Sequence, residues 1–407
     1  MNFSINDLGF LMSFDMIATL AMGLVSLFLG LQIKKKVEWF SKFGVPAPVI
    51  GGLIFAIAHL ILRQTGIGSI AYTTTLQTPF MVVFFTTIGL GSSISGLKKG
   101  GKLLLIFWAL SGVMTFMQTV IGVSIAKLTH INPLFGVLGG SVSMSGGHGS
   151  AGAFGQTVEA MGVTGASTMA LSSATFGLLA GGLLGAPLAF SLIKKYNLKP
   201  KFIKTKDEVG IKNDTVERKI TSDSLLKHIG MIAIIMTLGM FGSFLLKSNF
   251  NLALPSYVGA MFAAIIFNNL NNKFKWMDMD RNLIDILGHT SLNIFLSMAL
   301  ISLKLWELAD LALPMILMLF TQVLFMFLYT RFIVFRLLGK DYDSAVMVSG
   351  MCGSGLGATT NAMLNMGEVS EKYGYTVNPY LVVPLTGAFL IDMVQMPVII
   401  TAINLFK

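Results

Sequence analysis

Long, uninterrupted runs of apolar residues are the feature that most constrains this chain. Three examples are residues 16–33, 103–126 and 311–329. Each run can cross a hydrocarbon core of about 30 Å, which takes roughly 20 helical residues at about 1.5 Å per residue. Hydrophobic residues make up 54% of the 407 residues and charged residues only 12%, about half the usual share. The sequence therefore predicts an all-α polytopic membrane protein that contacts membrane lipid.

The apolar runs and the polar loops between them predict ten transmembrane helices. If the first span starts outside, the predicted inside loops hold 23 of the 29 lysines and arginines. This distribution follows the positive-inside rule, so we expect both termini to lie outside. The net charge of +10 is then explained by the membrane topology, and it does not indicate nucleic-acid binding. The predicted spans are residues 16–33, 46–62, 79–97, 103–126, 167–193, 225–246, 254–270, 284–303, 311–335 and 379–405.

A long hydrophilic segment divides the spans into two sets of five. We expect residues 194–224 to be a cytoplasmic linker between a first repeat, 1–193, and a second repeat, 225–407. PVIGGLIFAI (48–57) resembles PSYVGAMFAA (255–264), with an offset of 207 positions. Because each half has an odd number of spans, the second half must be inverted relative to the first. Two inverted five-helix repeats are the usual architecture of secondary transporters.

A glycine-rich segment interrupts each half. Residues 136–155 contain eight glycines in twenty positions, although the flanking chain is strongly apolar. Each interior glycine costs a lipid-facing helix about 1 kcal/mol, and each unsatisfied backbone group in lipid costs several kcal/mol. We therefore expect re-entrant hairpins at residues 134–155 and 342–366, which enter from opposite faces and meet near the midplane. Tight helix packing is the alternative reason for the glycines.

The hairpin tips form the candidate site, because broken helix ends leave N–H and C=O groups free to bind a ligand. The candidate substrate-binding residues are Ser145, Gly146, Gly147, His148, Gly149, Ser150, Gly355, Gly357, Thr359, Thr360 and Asn361. The candidate ligands for a metal cation such as Na⁺ are Asp392, Ser143, Ser354 and Asn293.

Asp392 lies about twelve residues from either end of the last predicted span. A carboxylate at that depth costs at least about 2.5 kcal/mol, so it should face protein or water. It is either a cation ligand or proton carrier, or a structural carboxylate that hairpin N–H groups satisfy. His148 leaves a similar choice between a direct ligand and a side chain that only fixes its local turn.

Together and in order, these segments resemble the bacterial sodium/glutamate symporters over almost the whole chain. The matching residues are SGGHG (145–149), CGSGLGAT (352–359), IDM around Asp392, LKLWELA (303–309) and PAPVIGGL (46–53). The resemblance implies Na⁺-coupled uptake of L-glutamate across the bacterial inner membrane, with Na⁺ as coupling ion and no organic cofactor. It also implies a homodimer whose transport domain moves like an elevator. A protein of this family is a symporter and not an enzyme.

Several alternatives stay open at this stage. The chain departs from the family pattern at Ser150, Ser354, Thr360 and Gln395, so the cargo could be another dicarboxylate, such as citrate or aspartate. Protons could replace sodium. An ion channel would use similar hairpins as a filter and would show single-channel currents. An intramembrane hydrolase would need a serine within hydrogen-bond reach of His148 and an oxyanion hole.

The charge of the cargo predicts electrogenic uptake. A monoanion that enters a cell at about 100 mV, inside negative, is opposed by about 2.3 kcal/mol. One Na⁺ only cancels that charge, so we predict at least two Na⁺ per glutamate. Uptake into proteoliposomes should therefore increase when a potassium gradient and valinomycin make the lumen negative. An uptake rate that does not respond to the imposed potential would contradict this prediction.

Overall fold

A computed structural model describes residues 2–6, 9–91, 94–200, 220–250, 254–309 and 311–407, and helices dominate it. The first half contains α1 (Met16–Lys36), α2 (Glu38–Lys42), α3 (Ala47–Gln64), α4 (Gln77–Gly91), α5 (Ile94–Leu128), α6 (Pro133–Val137), α7 (Gly147–Glu159) and α8 (Ala166–Tyr196). The second half contains α9 (Ser222–Phe250), α10 (Ser256–Phe274), α11 (Arg281–Ile301), α12 (Ala312–Tyr329), α13 (Phe335–Leu337), α14 (Tyr342–Leu356), α15 (Thr359–Tyr373), α16 (Val377–Leu385) and α17 (Asp392–Phe406). Short helical turns lie at Leu138–Val142, Leu305–Leu308, Thr330–Val334 and Thr386–Leu390.

Seven of the described helical segments are long and apolar enough to cross a membrane, which supports the predicted class of polytopic helical membrane protein. The predicted span 79–97 corresponds to α4, which has 15 residues, and this prediction also covers residues 92–93, outside the described part. α10 ends in the polar sequence NNLNNKF, and a π-helical turn separates α16 from α17. The total of ten spans stays a prediction. Residues 201–219 of the predicted linker lie outside the described part.

A small β-sheet departs from the all-α prediction. β1 (Asn2–Asn6) pairs antiparallel with β2 (Gly9–Phe14), which pairs parallel with β3 (Gly68–Tyr72). The sheet is attached to α3, because the backbone N–H of Ile70 donates to Nε2 of His59 at 3.0 Å. Strands of five or six residues beside much longer apolar runs give too weak a pattern to be predicted.

The helices divide into two groups that share few contacts. The wall bundle consists of α1, α3, α4, α9, α10 and α11, and the hairpin bundle consists of α5–α8 and α12–α17. The bundles meet mainly where α7 contacts α11 and where the turn Thr386–Leu390 contacts α4. Both glycine-rich segments therefore belong to one bundle, and the other bundle lies beside them.

Small residues on α7 let the hairpin bundle approach aromatic rings of the wall bundle. A Cβ atom on Gly149 would lie 2.8 Å from the ring of Phe84, and one on Gly152 would lie 2.7 Å from the ring of Phe295. One turn of α7 that has no side chains on this face thus packs directly on the edges of aromatic rings, which places the start of α7 close to the wall bundle.

Candidate functional site

Both glycine-rich segments contain a break between two helices. After α6 the chain bends at Gly140, where φ is −87° and ψ is −132°, and α7 begins at Gly147 with a φ of +60°. In the second segment α14 ends at Leu356, and non-helical backbone at Gly357 and extended backbone at Ala358 precede α15. Both predicted segments therefore contain an interrupted helix at the positions that the glycines indicated.

The two breaks touch each other. A Cβ atom on Gly147 would lie 2.7 Å from the carbonyl oxygen of Gly357, closer than real Cβ atoms approach. The φ of +60° at Gly147 also favours glycine, which has no Cβ to clash in the left-handed region. Glycine at position 147 is thus needed both for the turn and for the contact. The first residue of α7 meets the chain just before α15.

Buried glutamines on neighbouring helices bind the backbone of both breaks. Nε2 of Gln118 donates to the carbonyl of Gly355 at 2.6 Å, and Nε2 of Gln322 donates to the carbonyl of Gln118 at 2.7 Å. Nε2 of Gln395 donates to the carbonyl of Ser141 at 2.9 Å. The end of α14 leaves the carbonyl of Gly355 without an intrahelical partner, and the amide of Gln118 supplies one where lipid cannot.

A cavity of about 20 Å³ lies beside the two breaks, and we call it the tip cavity. A space of this size holds about one water molecule or one small ion. Both interrupted segments contribute to its wall, together with α5 and the turn before α17. The lining residues are Ser111, Met114, Ser145, Ser354, Thr359, Thr386, Gly387 and Ile391.

Each of the five hydroxyl groups that line the tip cavity donates its proton to a backbone carbonyl. The donor and acceptor residues are Ser111 to Phe107 at 2.9 Å, Ser145 to Ser141 at 3.0 Å, Ser354 to Gly350 at 3.2 Å, Thr359 to Gly387 at 2.9 Å and Thr386 to Val382 at 2.9 Å. A hydroxyl has one proton and two lone pairs, so these oxygens keep only the capacity to accept. The tip cavity therefore suits a cation and not an anion.

The structure brings six of the predicted substrate residues to the junction of the breaks. Gly147 and Gly357 form the contact, Ser145 and Thr359 line the tip cavity, and Gly355 carries the carbonyl that Gln118 binds. Gly146 also lies there, since a Cβ atom on it would meet Nε2 of Gln395 at 2.7 Å.

Other predicted residues contact α8 or lie elsewhere. The contacts with α8 are His148 Nε2 to Thr175 Oγ1 at 3.0 Å, Asn361 Nδ2 to the carbonyl of Leu178 at 2.6 Å, and Ser143 Oγ to the carbonyl of Ala170 at 2.8 Å. Gly149 packs on the wall bundle, Ser150 is buried in the first turn of α7, and Thr360 is exposed to a different cavity. Asn293 is half-buried on α11.

Asp392 begins α17, immediately after the turn Thr386–Leu390. It is largely shielded from solvent, and its carboxylate has no hydrogen-bond or ion-pair partner among the described residues. Its neighbour Ile391 lines the tip cavity, as does Ser354. Asp392, Ser143 and Asn293 stay predictions as cation ligands.

Sequence reasoning missed four polar residues of this centre. Ser111 and Thr386 line the tip cavity, Gln118 binds the second break at Gly355, and Gln322 binds the backbone of Gln118. Each is an isolated polar residue within a predicted apolar span. A buried amide in a span needs a partner, so this pattern is the signal that could have identified them.

Two larger cavities lie beside the hairpin bundle, and the larger of the two also borders the wall bundle. One of about 630 Å³ is lined by residues of α3, α4, α7, α8 and α11 and extends to Gly152. The other, of about 560 Å³, is lined mainly by α15 with residues next to α2, and it extends to Gly182 and Thr360. The predicted topology puts the first toward the outside and the second toward the inside, so we call them the outer cavity and the inner cavity.

Two interrupted helices meet at a polar centre, with the outer cavity and the inner cavity nearby. This arrangement is that of a membrane transport protein. The sequence profile described as sodium/glutamate symporter matches residues 12–375. The sodium/glutamate symporter of Escherichia coli is 40% identical over 388 residues, which are 95% of this chain and 96% of that protein. The sodium/glutamate symporter of Haemophilus influenzae is 38% identical over 387 residues, 94% of this chain and 96% of that protein. The chain belongs to the sodium/glutamate symporter family, which consists of transporters and not enzymes.

Among solved structures, a sodium/proton antiporter from Methanocaldococcus jannaschii aligns with a TM-score of 0.43 and 16% identity, covering 95% of this chain and 96% of that one. A similarity at this level supports no argument about fold or function.

Proposed function

We propose that this chain takes up L-glutamate together with Na⁺ across the bacterial inner membrane. The observation that carries this proposal is the tip cavity, in which five oxygen acceptors surround room for a single ion at the junction of the breaks. Bare cations bind where such oxygens replace their water ligands. The close relatives that align over nearly the whole chain are named for the same two cargoes.

Two helix N-termini at the junction suit the two carboxylates of glutamate. α7 begins at Gly147. α15 begins at Thr359, which is two residues after Gly357, the residue that contacts Gly147. The N-terminus of a helix presents free N–H groups and a partial positive charge, which favour a bound carboxylate. The substrate would therefore lie against residues 145–150 and 355–361, without a lysine or arginine at mid-membrane. Citrate or aspartate as cargo is the alternative.

In this proposal the tip cavity supplies one ion site, and Ser354 is one of its ligands. Electrogenic uptake requires a further Na⁺. A buried carboxylate without a partner needs a cation or a proton, so Asp392 is our first candidate for that second site. Ser143 and Asn293 stay candidate ligands.

The cavities support the proposed inverted repeats. Gly152 and Gln156 of α7 and Ala160, which directly follows α7, line the outer cavity. Thr360, Leu364 and Glu368 of α15, each 208 positions later in the chain, line the inner cavity. Helix packing also fits two repeats in which α1 corresponds to α9, α3 to α10 and α4 to α11. α1 packs on α3, and α9 packs on α10. Likewise α3 packs on α11, and α10 packs on α4. We therefore propose ten spans in two inverted repeats, re-entrant hairpins at residues 134–155 and 342–366, and both termini outside.

The sparse contact between the bundles suggests which part moves. The hairpin bundle contains both breaks and the tip cavity, and it meets the wall bundle through small residues on aromatic rings. We propose that the hairpin bundle moves along the wall bundle like an elevator, so that the junction faces the outer cavity and the inner cavity in turn. A homodimer, which the family resemblance implies, would fix the wall bundle.

Uptake of labelled L-glutamate into proteoliposomes tests the proposed function. Accumulation should require an inward Na⁺ gradient, should fail with choline, and should be inhibited more by unlabelled L-glutamate than by citrate. Asn at position 392 removes a charge at nearly constant size, so Asp392→Asn should abolish sodium dependence or uptake itself. Unchanged sodium dependence in this variant would remove Asp392 from the site.

A second variant tests the tip cavity. Thr386→Val keeps the shape of the side chain and removes one oxygen ligand, so the Na⁺ concentration for half-maximal uptake should rise about tenfold. Thr321→Val is the matched control, because the exposed Thr321 hydroxyl makes the same kind of bond to the carbonyl of Leu317 at 2.7 Å. Equal Na⁺ dependence in the two variants would contradict a cation in this cavity.

A further inference from the structure

The outer cavity carries less negative charge than the inner cavity, although Glu307 offsets the charge of Lys304. Two cationic side chains and one carboxylate line the outer cavity, namely Arg63, Lys304 and Glu159. One cationic side chain and two carboxylates line the inner cavity, namely Lys42, Glu368 and Glu371. Charged walls raise or lower the local concentration of an ionic ligand, so an anion is repelled more from the inner cavity than from the outer cavity.

Arg63 is held in place but keeps its hydrogen-bonding capacity. Its guanidinium lies 4.4 Å from the centre of the Trp306 ring, and that ring packs edge-on against His59 at 5.0 Å. Arg63 has no ion-pair partner among the described residues, whereas Lys304 is paired with Glu307 at 3.4 Å. A guanidinium stacked on an aromatic face can still bind a carboxylate with both arms of its planar fork.

Buried donors in the wall of the outer cavity also lack partners. Nε2 of His59 accepts the N–H of Ile70, so Nδ1 carries the proton, and this nitrogen has no partner. Nε2 of Gln77 and the hydroxyl of Tyr72 are likewise buried without a partner, and burial raises the pKa of Tyr72 to about 12, so it stays protonated. His59 and Gln77 are only 4% and 3% exposed. Unsatisfied buried donors cost free energy that a bound acceptor recovers.

Glu159 supplies the complementary group. Its Oε2 accepts the backbone N–H of Ser167 at 3.2 Å, which orients the carboxylate and leaves Oε1 able to accept from an ammonium group. The outer cavity thus combines a free guanidinium and neutral donors for carboxylates with one oriented acceptor for an amine. An amino acid with an acidic side chain carries these complementary groups.

We propose that the outer cavity is a capture site, which binds an acidic amino acid through Arg63 and Glu159 before it reaches the hairpin tips. This proposal rests on the proposed function and topology. The acidic inner cavity then favours release of the same anion. Both effects change rates and apparent affinity only, because the ion gradients fix the final accumulation ratio.

Initial uptake rates with glutamate on either side of oriented proteoliposomes test the proposal. Arg63→Gln should raise the KM for external glutamate about tenfold, with kcat within about twofold, and should leave the KM from the inside unchanged. Added choline chloride should raise the external KM of the wild type and should have little effect on the variant. Arg336→Gln, a change of an exposed arginine outside both cavities, is the matched control.

Three results would overturn the capture site: an unchanged external KM, an equal rise of KM on both sides, or an equal effect of Arg336→Gln. Should Arg63→Gln fail to fold, Arg63→Lys keeps the charge without the fork and should raise the external KM by a smaller factor. An unchanged external KM in Arg63→Lys would contradict binding of the carboxylate by both arms of the Arg63 guanidinium. A wild-type protein that takes up no glutamate would refute the proposed function itself, a result distinct from all of these.

Discussion

The contact between Gly147 and Gly357 is the constraint on which the rest of the site depends. A helix that stops inside a membrane exposes backbone groups that lipid cannot satisfy, so the break has to be closed by protein. Two breaks placed against each other bring the helix ends together. Gln118 and Gln395 bind carbonyls of the interrupted segments, and Gln322 binds the backbone of Gln118. The same closure creates the polar centre.

Cation preference follows from how that polar centre is built. Hydroxyl groups in helices commonly donate to the carbonyl one turn earlier, and four of the five around the tip cavity do so, while Thr359 donates to Gly387. No side-chain charge is needed, because the lone pairs face a space that fits one ion. The helix N-termini beside it favour carboxylates, so cation and anion sites lie side by side.

The sequence allowed much of this arrangement to be predicted, for identifiable reasons. Apolar runs that cross a membrane have a fixed minimum length, and clustered glycines in such runs have few structural uses. The class of helical membrane protein and both helix breaks could therefore be predicted. The partners of His148 and Asn361 on α8 could not be predicted, because they depend on how helices far apart in sequence pack. Ser111 and Thr386 could not be predicted for the same reason. In the sequence they are ordinary hydroxyl residues of apolar helices, and only the packing of the helices brings them next to the breaks.

Sodium-dependent glutamate uptake by Gly147→Ala, compared with Gly162→Ala, tests the central claim most directly. Both glycines have positive φ, +60° and +95°, so both variants bear a similar backbone strain. Only at position 147 does the added methyl press on a neighbour, the carbonyl of Gly357, while position 162 has open space. We expect uptake to fall about tenfold or more in Gly147→Ala and to persist in Gly162→Ala. Equal uptake by the two variants would contradict a transport site formed where the breaks meet.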